Sequence, residues 1–325
     1  MGAFTSKQWD AQSMGDMHGK VALVTGANTG MGYVITEQLL IHGAKVYLAA
    51  RSESKAQAAI AQLRREHPHL EKDRLVWLPL DLSTLADVRK GSANFLAQET
   101  RLDILVNNAA RLIADHQLNE DGVELSVAIN HLGHFALVDL LLPIMKSTAS
   151  AANSDVRIVT IASDAHNFTP PNIKFDSFED FNVTLASSPA SVNSLKAKSA
   201  RYGFSKLMNI YFARELQRRL DKDGVDIISL SLHPGLVATE NALNLFPSFI
   251  AALLRPLGKT ALQGATTALF AASASEVKQN AKAYKGVYLV PYGKVKDPSA
   301  VAKDDTLAAN LWKISKAFLD ANSAK

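Results

Sequence analysis

From Lys20 onward, short apolar runs alternate along the chain with longer segments that mix apolar and polar positions. The apolar runs have the length of buried strands, and the mixed segments have the length and spacing of helices that bury one side. The runs predict strands at 21–25, 45–49, 75–80, 103–106, 156–161, 225–232 and 286–290. The mixed segments predict helices at 31–41, 53–66, 84–99, 122–146, 196–220 and 260–274. This order predicts βαβ units in one doubly wound α/β domain with a mostly seven-stranded parallel sheet.

Two stretches do not fit the repeating unit, at 164–195 and 241–258. Both follow predicted strands, on the edge where α/β sheets bind ligands. Their phenylalanine and leucine side chains predict a lid over an apolar pocket, with core or dimer contacts as the alternative. The segment 245–254 is also apolar enough to rest on a membrane surface. Residues 1–18 mix polar and small side chains, and we expect an N-terminal extension outside a 19–325 domain.

The composition is that of an ordinary globular protein, with 47% hydrophobic and 20% charged residues among 325. The absence of cysteine excludes disulfides and thiolate chemistry, and scattered Lys and Arg residues predict no nucleic-acid binding. No apolar run reaches the length of a membrane span, and the N-terminus lacks a secretory signal pattern. Gly2 fits the loose pattern for acylation, with an unstructured tail as the alternative. We expect a cytoplasmic protein that contacts membranes peripherally, if at all.

A glycine-rich turn lies between the first predicted strand and the first predicted helix. It reads Thr-Gly-Ala-Asn-Thr-Gly-Met-Gly from Thr25 to Gly32. Glycines allow a tight turn and let phosphate oxygens approach the backbone, and a helix N-terminus offers free N–H groups. Because the turn follows a strand and opens a helix, it predicts dinucleotide binding. The residues concerned are Gly26, Asn28, Thr29, Gly30, Met31 and Gly32.

The end of the second predicted strand is expected to contact the adenosine ribose. An acidic residue there would repel a 2′-phosphate, but the chain has Arg51, whose guanidinium can clamp a phosphate through two parallel bonds. We therefore predict NADP(H) rather than NAD(H), with a helix-capping role for Arg51 as the alternative. Asp81, followed by Leu82, closes the third strand and either bonds the adenine amino group or caps the next helix.

Tyr202 and Lys206 lie four positions apart, so that they share one helix face. At about 4 Å, two unit charges interact by ~1 kcal/mol in water but by ~4 kcal/mol at an effective dielectric near ~20. The Lys206 ammonium can therefore lower the phenol pKa by roughly three units in a partly dry site. The pair predicts a general acid or base inside a cleft, with a surface lysine beside a half-buried tyrosine as the alternative.

Taken together, these motifs resemble the short-chain dehydrogenase/reductase family over about residues 20–240. The matching segments are Thr25–Gly32, Asp81–Leu82, Asn107–Ala110, Asn130, Ser163, Tyr202–Lys206 and Pro234–Gly235. Two further segments, 129–135 and 161–166, resemble the retinol-dehydrogenase-like branch. Protochlorophyllide reductases carry similar sequences, so the substrate stays open.

The resemblance implies a Rossmann-type fold and hydride exchange between NADP(H) and a carbonyl or alcohol on a lipophilic small molecule. Tyr202 would move the proton, Lys206 would lower its pKa and hold the nicotinamide ribose, and Ser163 would orient the substrate oxygen. Asn130 would hold a water against the lysine through its side chain or its backbone, with a helix kink or surface position as the alternative. The other implied cofactor contacts are Asn107, Asn108, Ala109, Pro234, Gly235, Val237 and Thr239. Family members are often dimers, so a homodimer is a further expectation.

Three alternatives stay open at the level of sequence. His131 and His134 invite a metal site, but no acidic or cysteine partner stands at ligand spacing, and we expect a packed or solvent-facing pair and no metal. A non-enzymatic NADP-binding sensor or scaffold could keep the glycine turn while losing Tyr202 or Lys206. A double-bond reductase could use the same scaffold and the same residues.

Overall fold

One sheet of eight strands runs through the protein in the computed structural model, which describes residues 9–237 and 258–322. The strands are β1 Val21–Thr25, β2 Lys45–Ala50, β3 Leu75–Pro79, β4 Ile104–Asn107, β5 Val156–Ile161, β6 Ile227–Leu232, β7 Tyr288–Val290 and β8 Lys294–Val295. Their order is β3-β2-β1-β4-β5-β6-β7-β8. All neighbours pair in parallel except β8, which is antiparallel to β7. The mostly parallel sheet is confirmed, and the two-residue β8 is an addition too short for an apolar pattern to reveal.

Helices connect the strands on both faces of the sheet. In the described ranges they are α1 Gly30–Ile41, α2 Glu53–Glu66, α3 Leu85–Leu96, α4 Leu125–Ala149, α5 Leu195–Lys222, α6 Ala261–Ser273, α7 Ser275–Gln279, α8 Ala281–Tyr284 and α9 Asp305–Ala321. The six helices that the sequence predicts are α1 to α6. Helix α9 was not predicted, although Leu307, Leu311, Ile314 and Phe318 have helical spacing along it.

Each strand of the centre buries side chains on both faces, as continuous apolar runs predict. In β1, Ala22 and Val24 pack with α1, α2 and α6, whereas Val21 and Leu23 pack with α3, α4 and α5. The two apolar layers hold the strands in register, so their carboxyl ends meet at one edge of the sheet. That edge carries the predicted site.

The N-terminal segment is part of the core from Trp9 onward. Its Met14 and Met17 are buried, and the Trp9 ring meets the Phe270 ring of α6 edge to face, with centroids 5.5 Å apart. The expectation that residues 1–18 lie outside the core is therefore wrong for 9–18. Gly2 lies outside the described residues.

Most phenylalanines of the 164–195 insertion are core residues. Phe175 and Phe181 are fully buried, and Phe175 stacks on Phe204 of α5 at 5.5 Å. Phe178 stacks on Phe318 of α9 at 5.1 Å. The prediction of a lid is wrong for these residues, because α5 and the unpredicted α9 supply apolar surfaces that they cover. The second insertion, 241–258, lies outside the described residues except for its last position.

Helix α4 has the length and mean hydropathy (1.5) of a membrane span, contrary to the expectation that no segment would reach them. However, 72% of its most apolar window is buried inside the protein. It is therefore a core helix, whose apolar surface is already covered by the sheet and by α5 and α9.

Replacing Phe181 by Ala tests whether the insertion is core. We expect Phe181→Ala to lower the free energy of unfolding by about 3–5 kcal/mol, because it removes a fully buried ring. Phe168→Ala is the matched control, since Phe168 is 64% exposed and its loss should cost less than about 0.5 kcal/mol. Urea denaturation measures both. Equal stabilities for the two variants would contradict the assignment of Phe181 to the core.

Candidate active site

The glycine-rich turn follows β1 and opens α1. Gly26 and Gly30 adopt positive φ values of 62° and 57°, which side chains other than glycine rarely take. A Cβ on Gly32 would lie 2.4 Å from the Gly26 carbonyl oxygen, so the turn closes only without one. Thr29 precedes the helix without a side-chain cap, which leaves first-turn N–H groups of α1 for an anion. Asn28 and Met31 lie in this same segment.

The loop after β4 supports this turn. The Asn108 amide donates to the Thr25 carbonyl at 2.7 Å, and the backbone N–H groups of Asn108 and Ala109 both donate to the Thr25 hydroxyl at 2.9 Å. Asn107 instead bonds the Thr160 hydroxyl of β5 at 3.3 Å and is buried. Asn108 and Ala109 thus lie against the turn, whereas Asn107 is engaged inside the sheet.

Arg51 lies at the carboxyl end of β2 and is exposed. Ser52 caps α2, accepting from the Lys55 N–H, so the alternative that Arg51 is the cap is wrong. The structure shows no hydrogen bond or ion pair of the Arg51 guanidinium with any described residue. The guanidinium is therefore available to an anion beside the second strand.

Asp81 and Leu82 follow β3 on the same edge. Asp81 accepts from the Ser83 N–H at 2.9 Å, while α3 is capped by Thr84 rather than by Asp81. Leu82 is buried, and its carbonyl lies against Gly133 of α4. Of the two roles predicted for Asp81, the helix cap is wrong, and the contact with adenine stays a prediction.

Ser163, Tyr202 and Lys206 meet at the carboxyl end of β5. Ser163 opens the short turn Asp164–Phe168, and its side chain lies close enough to the Tyr202 hydroxyl of α5 to lower the pKa of that phenol. Lys206 lies one helical turn further on, with its ammonium 5.8 Å from the centre of the Tyr202 ring. The ammonium donates to the Ile161 carbonyl of β5 at 2.7 Å. The three side chains are thus brought together as predicted.

Gly203, which was not predicted as a site residue, makes this meeting possible. A Cβ at this position would lie 2.3 Å from the Ala165 carbonyl oxygen. Helix α5 therefore packs directly on the backbone of the turn that Ser163 opens. The signal was the glycine inside an otherwise good helical pattern, which often marks a close approach of two backbones.

Burial shifts the pKa values of both members of the Tyr202–Lys206 pair. It raises the pKa of Tyr202 to about 12, and only the hydrogen bond with Ser163 acts in the other direction. It also lowers the pKa of Lys206 to about 7. The direction for Tyr202 is the opposite of the sequence prediction. The reason is that loss of water from around the phenol disfavours its charged form, and the Lys206 ammonium, 5.8 Å from the ring centre, does not offset this effect.

Asn130 lies in a π turn, Ala128–Leu132, within α4. Its side-chain oxygen accepts from the Arg111 N–H at 2.7 Å, and its amide donates to the Arg111 carbonyl at 3.0 Å and to the Ser205 hydroxyl at 2.9 Å. Ser205 in turn donates to the Tyr202 carbonyl at 2.8 Å. The Asn130 side chain therefore links the β4 loop to α5, and its backbone carbonyl meets Nδ1 of His134 at 3.2 Å. Ser205 was also missed from the sequence.

The loop after β6 completes the edge. Gly235 has a φ of 90°, and Val237 pairs in an isolated parallel bridge with Lys259. A methyl group of Val237 lies 2.5 Å from where a Cβ on Gly264 would be, so α6 fixes this loop. Pro234 lies between His233 and Gly235 in the same loop. Thr239 lies outside the described residues.

The two histidines of α4 are packed, as one of the alternatives expected. His131 bonds the Ser315 hydroxyl of α9, and His134 bonds the Thr25 hydroxyl of β1, each at 2.9 Å. Burial lowers both pKa values to about 3. The imidazoles are therefore neutral and face different partners, which is not the geometry of a shared metal site.

A parallel sheet with a glycine-rich turn after β1 and an open helix N-terminus is a dinucleotide-binding fold. A family model described as short chain dehydrogenase matches residues 20–174. Short chain dehydrogenase/reductase dpchH of Colletotrichum higginsianum is 44% identical over 324 residues, spanning 100% of this chain and 80% of that protein. Retinol dehydrogenase 14 of Mus musculus is 35% identical over 335 residues, spanning 98% and 91%.

The fold itself also has a solved counterpart. The crystal structure of an uncharacterized protein from Mycobacterium paratuberculosis has a TM-score of 0.71 and 31% identity, and the match covers 96% of this chain and 98% of that one. The chain belongs to the short-chain dehydrogenase/reductase family. It is an oxidoreductase of that family, whose members bind NAD(H) or NADP(H).

The lowered pKa of Lys206 predicts a pH dependence of stability. An unfolded lysine titrates near ~10.4, so between about pH 7 and that value the unfolded chain binds more protons than the folded one. The free energy of unfolding should therefore rise with pH in this window. We expect the wild type to gain about 2 kcal/mol more than Lys206→Met between about pH 7 and about pH 9, measured by urea denaturation.

Lys196→Met is the control, because Lys196 is an exposed lysine on the same helix. The free energy of unfolding of Lys196→Met should change with pH as that of the wild type does. Parallel curves for the wild type and Lys206→Met would show that Lys206 titrates normally in the folded protein.

Proposed function

We propose that the protein is an NADP(H)-dependent oxidoreductase that interconverts a carbonyl and an alcohol on a lipophilic small molecule. The observation that carries the proposal is the meeting of Tyr202, Lys206 and Ser163 at the sheet edge that also bears the turn Gly26–Gly32. When bound there, the nicotinamide would supply or accept the hydride. A residue of the protein must then supply or accept the proton.

Tyr202 is the general acid in reduction and the general base in oxidation. Its hydroxyl lies near the Ser163 side chain, so a substrate oxygen placed between the two would receive two hydrogen bonds. The Lys206 ammonium stabilises the phenolate as it forms and holds the nicotinamide ribose. The Asn130 side chain is occupied, so its backbone carbonyl, which meets His134 Nδ1 with one lone pair, would hold with the other the water that passes the proton onward.

Arg51 supports the choice of NADP(H). It is an exposed cation without a protein partner in the described ranges, at the strand end where the adenosine ribose of such folds lies. The turn Gly26–Gly32 and the N-terminus of α1 would hold the pyrophosphate, and Asp81 the adenine. The loop from Pro234 through Val237 to Thr239 would flank the nicotinamide.

A lipophilic substrate is supported by the apolar side chains that the described part of this edge exposes. Phe168 of the turn after Ser163 is 64% exposed, and Leu236 beside Gly235 is 70% exposed. Retinol dehydrogenase 14, a relative along most of the chain, is named for an apolar alcohol. A cytoplasmic location, a homodimer and peripheral membrane contact complete the proposal and rest on the resemblance alone.

Removing the phenol hydroxyl tests the assignment. Tyr202→Phe should lower NADPH-dependent turnover of a panel of apolar ketones and aldehydes by about 100-fold to 10,000-fold, because it removes the general acid. NADPH binding, followed by fluorescence, should stay within about threefold. Tyr33→Phe is the control, since the Tyr33 hydroxyl donates to Glu66 of α2 rather than to a residue of the catalytic group. Turnover that survives in Tyr202→Phe would refute the role, and a reduced C=C bond in the product would favour the double-bond reductase.

Replacing Arg51 tests the cofactor. Arg51→Ala should lower the preference for NADPH over NADH, as a ratio of kcat/KM values, by about 10-fold to 100-fold, because a charge-assisted contact with a phosphate is lost. Arg65→Ala removes an exposed arginine from the last turn of α2 and should leave the ratio unchanged. An unaltered ratio in Arg51→Ala would show that another group reads the 2′ position.

A further inference from the structure

Asp164 and His233 touch at two points beside the candidate catalytic serine. The Asp164 backbone N–H donates to His233 Nδ1 at 3.3 Å. The second ring nitrogen, Nε2, lies 3.1 Å from Asp164 Oδ2. The His233 imidazole thus contacts both the backbone and the side chain of Asp164, the first residue of the turn that Ser163 opens.

Only one neutral form of the ring satisfies both contacts. Nδ1 must accept, so in the neutral ring it carries no proton, and the single proton lies on Nε2, which faces the Asp164 carboxylate as an electrostatic contact. A second proton would sit on Nδ1 and face the Asp164 N–H, which is a donor against a donor. Protonation of His233 therefore breaks the backbone contact while it keeps the ion pair.

The two residues border the two halves of the proposed site. Asp164 directly follows Ser163, which orients the substrate oxygen, and His233 directly precedes Pro234 and Gly235, which flank the nicotinamide. We propose that Asp164 and His233 form a clamp that positions Ser163 relative to the loop beginning at Pro234, and that His233 is a positioning residue for hydride transfer. The proposal rests on the proposed function.

Neighbouring residues also bond to Asp164 and to the turn that carries Ser163. The Tyr288 hydroxyl of β7 donates to Asp164 Oδ1 at 2.8 Å, which leaves Oδ2 for His233. His166 bonds the Ser163 carbonyl at 2.7 Å through Nδ1 and accepts from the Ser299 N–H at 3.1 Å through Nε2. The Asp164 carboxylate and the His166 ring are therefore each bonded outside the turn, to Tyr288 and to Ser299.

The charges around His233 keep the working form dominant near neutral pH. Burial lowers the pKa of His233; the Asp164 carboxylate raises it, while Lys259, His166 and Lys296 lower it further. The net direction is downward from an ordinary value near ~6.5. Protonation, and with it the loss of the backbone contact, should therefore set in only at acidic pH.

Two amide variants test the clamp. In His233→Asn the amide can reach the place of Nδ1, and in His233→Gln that of Nε2, so each keeps one of the two contacts. We expect kcat to fall by about 10-fold to 100-fold in both, since a misplacement of about 1 Å can have that effect. NADPH affinity should stay within about threefold. The acidic limb of the wild-type kcat profile should vanish in both, because an amide does not titrate.

His67→Gln is the matched control. His67 forms a similar pair with Glu37 at 2.9 Å, but α2 ends there at the opposite edge of the sheet. It should retain wild-type kcat and the acidic limb. If both His233 variants also stay within about threefold of the wild type, or if the limb persists in them, the clamp is refuted.

A second readout is independent of turnover. Imidazole nitrogen NMR at about pH 7.5, with the His233 signals identified by their loss in the variants, should show the neutral ring protonated on Nε2. A ring protonated on Nδ1, or on both nitrogens, would overturn the proposal. Absence of any Tyr202-dependent turnover would refute the proposed function instead, and the NMR result would still decide on the clamp.

Discussion

The contact of α5 with the backbone of the turn after β5 is the constraint on which the site depends. At Gly203 the helix comes so close to the Ala165 carbonyl that a Cβ would lie 2.3 Å from it. This approach carries Tyr202 to Ser163 and lets Lys206 reach the Ile161 carbonyl. A larger residue at 203 would push the helix outward and separate all three side chains at once.

Around this contact, buried polar groups are joined to one another in a way that fixes distances between elements. Asn130 ties the π turn of α4 to the β4 loop and, through Ser205, to the backbone of Tyr202. His134 ties the same turn to Thr25, where the glycine-rich segment begins. Since an unsatisfied buried group costs about 1–3 kcal/mol, these bonds resist rearrangement. One hydrogen-bond network thereby holds the glycine-rich turn, proposed to bind the cofactor, and Tyr202, the proposed proton donor.

Much of this arrangement could be predicted from local sequence. Apolar runs located seven strands, and the spacing of Tyr202 and Lys206 gave their common face, because both signals come from backbone periodicity. What the sequence could not show depends on contacts between distant segments. The phenylalanines 175 and 181 became core only because α5 and α9 cover them. The packing of residues 9–18 on α6 and the linking role of the Asn130 side chain are long-range in the same sense.

The pKa values of Tyr202 and Lys206 likewise could not be predicted from local sequence. Sequence spacing fixes that Tyr202 and Lys206 are neighbours, but not how far water is removed from them. Burial acts on both charges, raising the pKa of the phenol to about 12 and lowering that of the ammonium to about 7. It therefore favours the pair in its uncharged form, with the proton on the oxygen. Such a phenol stays protonated and can donate to the alkoxide that forms as hydride arrives, but its raised pKa makes it a weaker acid than a free tyrosine, and the phenolate that oxidation needs would require positive charge nearby. The acid strength of Tyr202 is thus a property of the whole cleft and of what enters it.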